Sequence, residues 1–410
     1  MKIWHPGLAL ATSLVIALSS CAGNQGSGTP TPQATPSPEP TPTPTLESSA
    51  TPPCEPSPTP QATPSPEPPS ASQIQAYLAD GFVSAVPSPN GNAVIVLTTN
   101  GMMVFDLNTS AFVWASDVEE GTTAAWSPTD DLIAAGQRNG TVLLLDSSTG
   151  TAIGQIVEGN EEIKTLAFSP DGSALAIAYG NLKGISTELL VWDVHQQKSI
   201  RWLTDYGFGE PVWSPDSNLI ALVIYLDVAL FSPRTGVHHL FASGERQVMR
   251  ALWLGDGTQL LVERDGGVEV WDVSSKQQTA HYPTRLLING VQAYDSHALI
   301  ALSGEPIILW NYITGEESNP LGNEAVASEM ALDQSANLLA IALSSNSAVR
   351  IWNLDTYDVV GEFSLESDQV IVGLEWSGDW LLTTIAGGQP FTYNIDSSQL
   401  IEIGAPVIAR

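Results

Sequence analysis

From about residue 82 to 404, short apolar runs alternate with polar turns at a regular interval. Residues 167–180, AFSPDGSALAIAYG, carry the pattern: a Ser169-Pro170-Asp171-Gly172 turn leads into Leu175-Ala176-Ile177-Ala178. This turn-plus-strand unit recurs eight times, from VPSPNGNAVIVL to LEWSGDWLLTTI. Each copy is followed by a second apolar run ending on a large residue: Phe105, Leu145, Trp192, Phe231, Trp271, Trp310, Trp352 and Tyr393. Successive ends lie 40, 47, 39, 40, 39, 42 and 41 residues apart. A period near 40, built from short strands and Gly/Asp/Asn/Ser turns, predicts an all-β chain folded as a β-propeller with four strands, a to d, in each blade. A single such sheet exposes two apolar faces, so neighbouring blades must stack on one another.

The fifth repeat reads strand by strand: MRALWL as a, TQLLVE as b, GGVEVWDV as c and QQTAHY as d, with Gly-Asp-Gly and Arg-Asp-Gly-Gly as turns. Eight repeats predict eight blades, with seven as the alternative if one degenerate repeat is used elsewhere. Two segments are candidates for the outer strand of the last blade, IQAYLA (74–79) from the N-terminal side and QLIEIGA (399–405) from the C-terminal side.

The Ser169-Pro170-Asp171-Gly172 turn and those like it, the Trp-Asp pairs at 192–193 and 271–272 and the Trp-Asn pairs at 310–311 and 352–353 resemble those of WD-repeat propellers. The resemblance covers residues 82 to about 404. The Gly-His pair that the family places before strand a is absent from all eight repeats, so the hydrogen-bond network built on that histidine is expected to be missing. The chain resembles a divergent, bacterial-style member of the group.

Composition divides the rest of the chain. Lys2, the apolar stretch Leu8–Leu18, small residues and Cys21 have the layout of a secretory signal, too short for a spanning helix. Leu18-Ser19-Ser20-Cys21 resembles the lipobox of bacterial lipoproteins, which implies cleavage before Cys21 and lipidation of its sulfur. Residues 24–72 are dominated by Pro, Thr, Ser and Gln, and PTPQATPSPEP occurs twice. Such a segment buries no core and favours extended polyproline II, on the order of 100 Å at about 3.1 Å per residue. The expected organisation is a signal peptide over 1–20, a lipidated and disordered linker over 21–73 and a propeller over 74–410. Cys54, the other cysteine, falls in the linker, so the propeller uses neither disulfide nor cysteine metal site.

Charge narrows the partners. The chain has 14 basic and 44 acidic residues. Setting aside Lys2, Glu39, Glu47, Glu55 and Glu67 leaves 13 against 40 in the repeat region. A domain near −27 lacks the basic footprint that nucleic acid requires, and anionic headgroups repel it. The only membrane association expected is the N-terminal lipid anchor, in an extracytoplasmic location, on the outer face of the cytoplasmic membrane or on the outer membrane.

Catalytic motifs are missing. There is no G-x-S-x-G elbow, P-loop, G-x-G-x-x-G or histidine pair at metal-ligand spacing. No catalytic residue, cofactor or metal is assigned. The Asp-Gly turns at 171–172 and 256–257 lack a calcium ligand series and fit tight turns. Charge placement gives one positive indication. In propellers of this kind the d-to-a and b-to-c connections share a face, and the d-to-a connections here hold Glu119, Glu120, Glu158, Glu161, Glu162, Asp205, Glu210, Glu245, Glu324, Glu366 and Asp368, with Tyr206 and Phe208 among them. This acidic face is the candidate site for a protein partner, such as a basic segment. The expected function is a non-catalytic protein-binding scaffold. The alternatives are a hydrolase or lyase with acids at the channel mouth, and a structural envelope protein.

Overall fold

Eight four-stranded antiparallel sheets follow one another along the chain, each built from a single repeat in the order a-b-c-d. The computed structural model describes residues 68–79, 81–129, 131–180, 187–204, 210–242, 244–343 and 347–403. The a strands of blades 1 to 8 are Phe82–Pro87, Gly121–Trp126, Glu162–Phe168, Val212–Trp213, Val248–Leu254, Ile288–Tyr294, Ala327–Asp333 and Ile371–Ser377. Blade 5 has the strands read from the sequence to within about one residue, Val248–Leu254, Gln259–Arg264, Gly267–Asp272 and Gln277–Pro283. Its boundary matters at one point: Arg264 ends strand b and is buried, whereas the sequence reading placed it in the connecting turn.

The core consists of eight apolar clusters, each lying between two successive blades. Between blades 1 and 2, Ile95, Val104 and Trp114 pack on Ala124, Ile133 and Leu145. Between blades 8 and 1, Trp380, Leu382 and Ile403 pack on Val94, Val96 and Phe105, which closes the ring. Each sheet packs on a neighbour on both sides, which is how the short inner strands bury both faces, while the outer d strands remain largely exposed.

The closure uses no strand exchange. The outer strand of blade 8 is Gln399–Glu402, supplied by its own repeat, and residues Ala71–Ala79 form a helix. Ile74, Tyr77 and Leu78, at helical spacing, pack against the blade 8/blade 1 cluster. The Tyr77 hydroxyl donates to Asp117 at the end of strand d of blade 1, and its ring lies over Gly101 at the start of strand c. Among the described residues no helix is long and apolar enough to cross a membrane.

The repeated polar residues hold turns. The Asp or Asn ending strand c accepts a backbone N–H two or three residues on in seven blades: at Asp106, Asp146, Asp193, Asp272, Asn311, Asn353 and Asn394. The Ser148 hydroxyl and the N–H groups beside it hold the Asp146 carboxyl below its ordinary range. Ser88, Ser169 and Ser214 accept backbone N–H groups across the a-to-b turns. These carboxylates are committed to backbone, which accounts for the Asp-rich motifs without a ligand.

Indole N–H groups tie blades together. Trp126, Trp213, Trp253 and Trp376 each donate to a carbonyl of strand a in the preceding blade, at 3.0, 2.9, 2.9 and 3.2 Å. All four sit at the same position of strand a, so they form a recurring inter-blade link at one end of the ring.

Candidate functional site

The face carrying the d-to-a and b-to-c connections is built by backbone bonds between them. The carbonyls of Glu120, Gln247, Leu287 and Val370 accept N–H groups from Arg138, Asp265, Ser303 and Ala386, at 3.0, 2.9, 2.9 and 2.8 Å. Each acceptor stands directly before a strand a, so the four residues are structural equivalents. The fold uses a carbonyl there, carried at Glu120 by a left-handed backbone with φ 48°.

Just inside this rim every fully described strand a carries a β-bulge. Val83, Thr122, Lys164, Met249, Asn289, Ser328 and Val372 are the extra residues at seven register shifts. A bulge inserts one residue and re-aims side chains. Thr122 and Asn289 use it to donate to carbonyls of the next blade, Ile163 at 2.7 Å and Ala327 at 2.8 Å. Met249 and Val372 remain more than half exposed.

Past the bulge, strand a offers a polar side chain in each blade: Ser84, Thr123, Thr165, Glu210, Arg250, Gln292, Glu329 and Glu375. None is buried, although each belongs to the innermost strand or leads into it. Three are carboxylates and one is a guanidinium. Glu375 is open to channel water yet ringed by protein; that desolvation and the facing charge of Glu210 raise it from 4.5 to about 7. Burial also raises Glu329, with Arg250 opposing the shift. Arg250 lies 3.9 Å from Glu263, a buried carboxylate that desolvation likewise pushes up. A cavity of about 300 Å³ between blades 8 and 1 is lined by Ser84 and Glu375 among others.

The predicted acids are spread around this face. Glu119 and Glu120 stand on the connection leading into blade 2, Glu158 and Glu161 on the one leading into blade 3, and Glu162 forms an ion pair with Lys164 at 2.8 Å. Glu245, Glu366 and Asp368 are exposed on the connections leading to blades 5 and 8. Glu324 is exposed and bonded to Arg350 at 3.4 Å, which Glu362 also holds. Glu210 lies deeper, close enough to Glu375 to raise it. Asp205, Tyr206, Phe208 and Cys21 lie outside the described residues. Among the described residues no three His, Cys, Asp or Glu side chains gather as a metal site.

Sequence reasoning missed Glu375, Glu329 and Arg250, which look like ordinary polar residues of an amphipathic strand. It also missed the buried arginine network of blade 5. Arg264, 5% exposed, donates to the carbonyls of Leu226, Arg246 and Ala242 and, at 2.9 Å, to Glu269, which accepts the Trp271 N–H as well. One guanidinium thus fixes the connection entering blade 5, including Ala242 at a left-handed φ of 51°. Arg264, Arg246, Arg285 and His281 line a cavity of about 540 Å³ beside it.

This arrangement defines the class of protein: a β-propeller of eight four-stranded blades, with an open face of connections around a polar channel. A family described as the anaphase-promoting complex subunit 4 WD40 domain matches residues 124–202, which are blades 2 and 3. Echinoderm microtubule-associated protein-like 3 of Homo sapiens is 28% identical over 142 residues, 31% of this chain and 15% of that protein. Echinoderm microtubule-associated protein-like 2 of Rattus norvegicus is 35% identical over 77 residues, 18% of this chain and 12% of that protein. The matches therefore span less than a sixth of these relatives' lengths. The crystal structure of the computationally designed Ika8 protein superposes with a TM-score of 0.62 at 15% identity, covering 77% of this chain and 96% of that one, and bears on the fold alone. The chain is an eight-bladed β-propeller, with similarity to WD40 repeats over blades 2 and 3.

Proposed function

We propose that this propeller is a non-catalytic protein-binding scaffold, held outside the cytoplasm by a lipid on Cys21 and by the Pro-rich linker that ends near residue 73. WD40 propellers typically act as protein-interaction scaffolds, and the observation that carries the reading here is the face itself. Its backbone groups are satisfied by connection-to-connection bonds, while Glu120, Glu161 and Glu210 have no ion-pair partner among the described residues. Unpaired charge around an accessible channel suits a basic protein partner, whose approach it steers. The helix Ala71–Ala79 reaches the propeller beside Gly101 and Asp117, on this same face.

The test has two arms. Wild type should partition with membranes and Cys21→Ala should be released in soluble form; an unchanged distribution refutes the anchor. Capture of tagged protein from its native membranes should yield a stoichiometric partner that dissociates as salt rises, because exposed charges are screened over about 8 Å at physiological ionic strength. Absence of any partner at low salt refutes the scaffold.

A hydrolase or lyase reading has one observation in its favour: Glu375, protonated near neutrality beside a second carboxylate, has the form of a general acid. A turnover abolished by Glu375→Gln would establish it in place of the scaffold.

A further inference from the structure

The inner rim is divided by chemistry. Ahead of the a strands of blades 2, 3 and 4 it carries Glu120, Glu161 and Glu210. Around blades 4 to 8 it carries apolar side chains left in water: Tyr225 at 62% exposure, Met249 at 59%, Leu287 at 76%, Val370 at 61% and Val372 at 51%. The division is not a consequence of the fold. Glu120, Leu287 and Val370 perform the same backbone task, accepting one N–H from the b-to-c turn of their own blade. Gln247 fills the same role on blade 5 with a polar side chain, and Glu120 fills it at a left-handed φ of 48°, so the carbonyl bond itself does not call for the exposed aliphatics Leu287 and Val370. In blades 5 and 8 the acids also stand farther back: Glu245 and Asp368 lie three residues ahead of strand a rather than next to it. Single exposed apolar residues need no explanation, but here they recur at two positions of one face, Leu287 and Val370 directly before strand a and Met249 and Val372 at the bulge, and such recurrence marks a contact surface.

We infer that this face binds an amphipathic basic protein segment, with its cationic side over blades 2 to 4 and its apolar side over blades 5 to 8. The inference rests on the scaffold reading and specifies the partner's chemistry. A second copy of the chain does not fit, because each copy carries a formal charge of −30 and would bring its own acids against this arc. A purely basic segment would leave the aliphatic arc in water, and a purely apolar one would desolvate Glu120, Glu161 and Glu210 without compensation.

The experiment uses the full-length protein and three short labelled peptides: a Lys/Leu amphipath, a Lys/Ser peptide of equal charge and a neutral Gln/Leu amphipath. Binding is followed by fluorescence anisotropy at low and moderate salt. The Lys/Leu peptide should bind at least about tenfold more tightly than either control, or about 1.4 kcal/mol. Leu287→Ser, Val370→Ser and Val372→Ser together should lower it to the level of Lys/Ser, with salt sensitivity kept. Glu120→Gln, Glu161→Gln and Glu210→Gln together should lower it to the level of Gln/Leu and flatten the salt dependence. All six positions are solvent-accessible, and an unchanged thermal midpoint confirms that each variant folds. Equal affinity for the two lysine peptides, or a preference that survives the serine variant, overturns the inference. So does self-association that the serine variant abolishes. A native partner captured equally by wild type and the serine variant defeats the split rim and leaves the scaffold standing. A peptide preference as described with no native partner defeats the scaffold alone.

Discussion

Replacing Arg264 with Met tests whether one buried guanidinium holds the connection into blade 5. Methionine keeps most of the volume and removes every donor. In the native structure those donors serve three carbonyls and the Glu269 carboxylate. Glu269 keeps only the Trp271 N–H at 2.8 Å. Removing one partner of a buried ion pair costs about 3–5 kcal/mol, because the remaining charge is left uncompensated. The adjoining cavity admits water to some of the orphaned carbonyls, which puts the expectation toward the lower figure, about 3 kcal/mol. A loss of that size is a large part of a typical folding stability of about 5–15 kcal/mol. Urea unfolding should show it as a lower midpoint at unchanged slope. Hydrogen exchange should show protection lost first around Ala242 to Gln247. A double-mutant cycle with Glu269→Gln should give clear coupling between the two residues. A change under about 1 kcal/mol, or loss of protection spread evenly over all blades, would refute the reasoning.

Three other outcomes follow from particular contacts. Glu375 binds its proton more tightly in the folded state than in the unfolded one, so the stability it contributes is present below pH 4.5 and is lost as pH rises to about 7. Glu375→Gln should flatten that decline by on the order of 1 kcal/mol after allowance for screening by channel water, and denaturation midpoints across the window that match wild type would contradict the assignment. Gly101→Ala places a methyl group inside the Tyr77 ring, so the helix Ala71–Ala79 should undock and become open to proteolysis while the ring stays folded; Tyr77→Ala should reproduce the effect, and protection equal to wild type in both would refute it. Trp376→Phe removes the indole bond to Ala331 at 3.2 Å and should cost about 1 kcal/mol by urea unfolding, with no measurable change counting against the inter-blade link.

Much of the fold was legible because its determinants are local and repeat. The turn serines, the strand-ending Asp and Asn residues and the two apolar runs fall within one repeat, so eight copies reinforce the same reading. The closing segment was less legible. IQAYLA fits an alternating strand as a string, and only the spacing of Ile74, Tyr77 and Leu78 hinted at the helix that the blade 8/blade 1 cluster selects. The site divides in the same way. The rim acids were visible because they occur in d-to-a connections, where polar runs stand out. Glu375 is raised by the protein that surrounds it and then by Glu210, 165 positions earlier in the chain, and Arg264 depends on carbonyls 18 to 38 residues away. No periodicity reports such contacts. The apolar arc was concealed for another reason: Leu287 and Val370 border strands that are apolar anyway, and only their exposure separates them from the core.

The most direct test of the central claim is a hydrogen-exchange footprint of the partner captured from native membranes on the full-length protein. The account predicts slowed exchange in the connections around Glu120, Glu161, Leu287 and Val370, with the outer d strands unchanged. Protection confined to the outer strands, or to the opposite face with its Ser88, Ser169 and Ser214 turns, would contradict it.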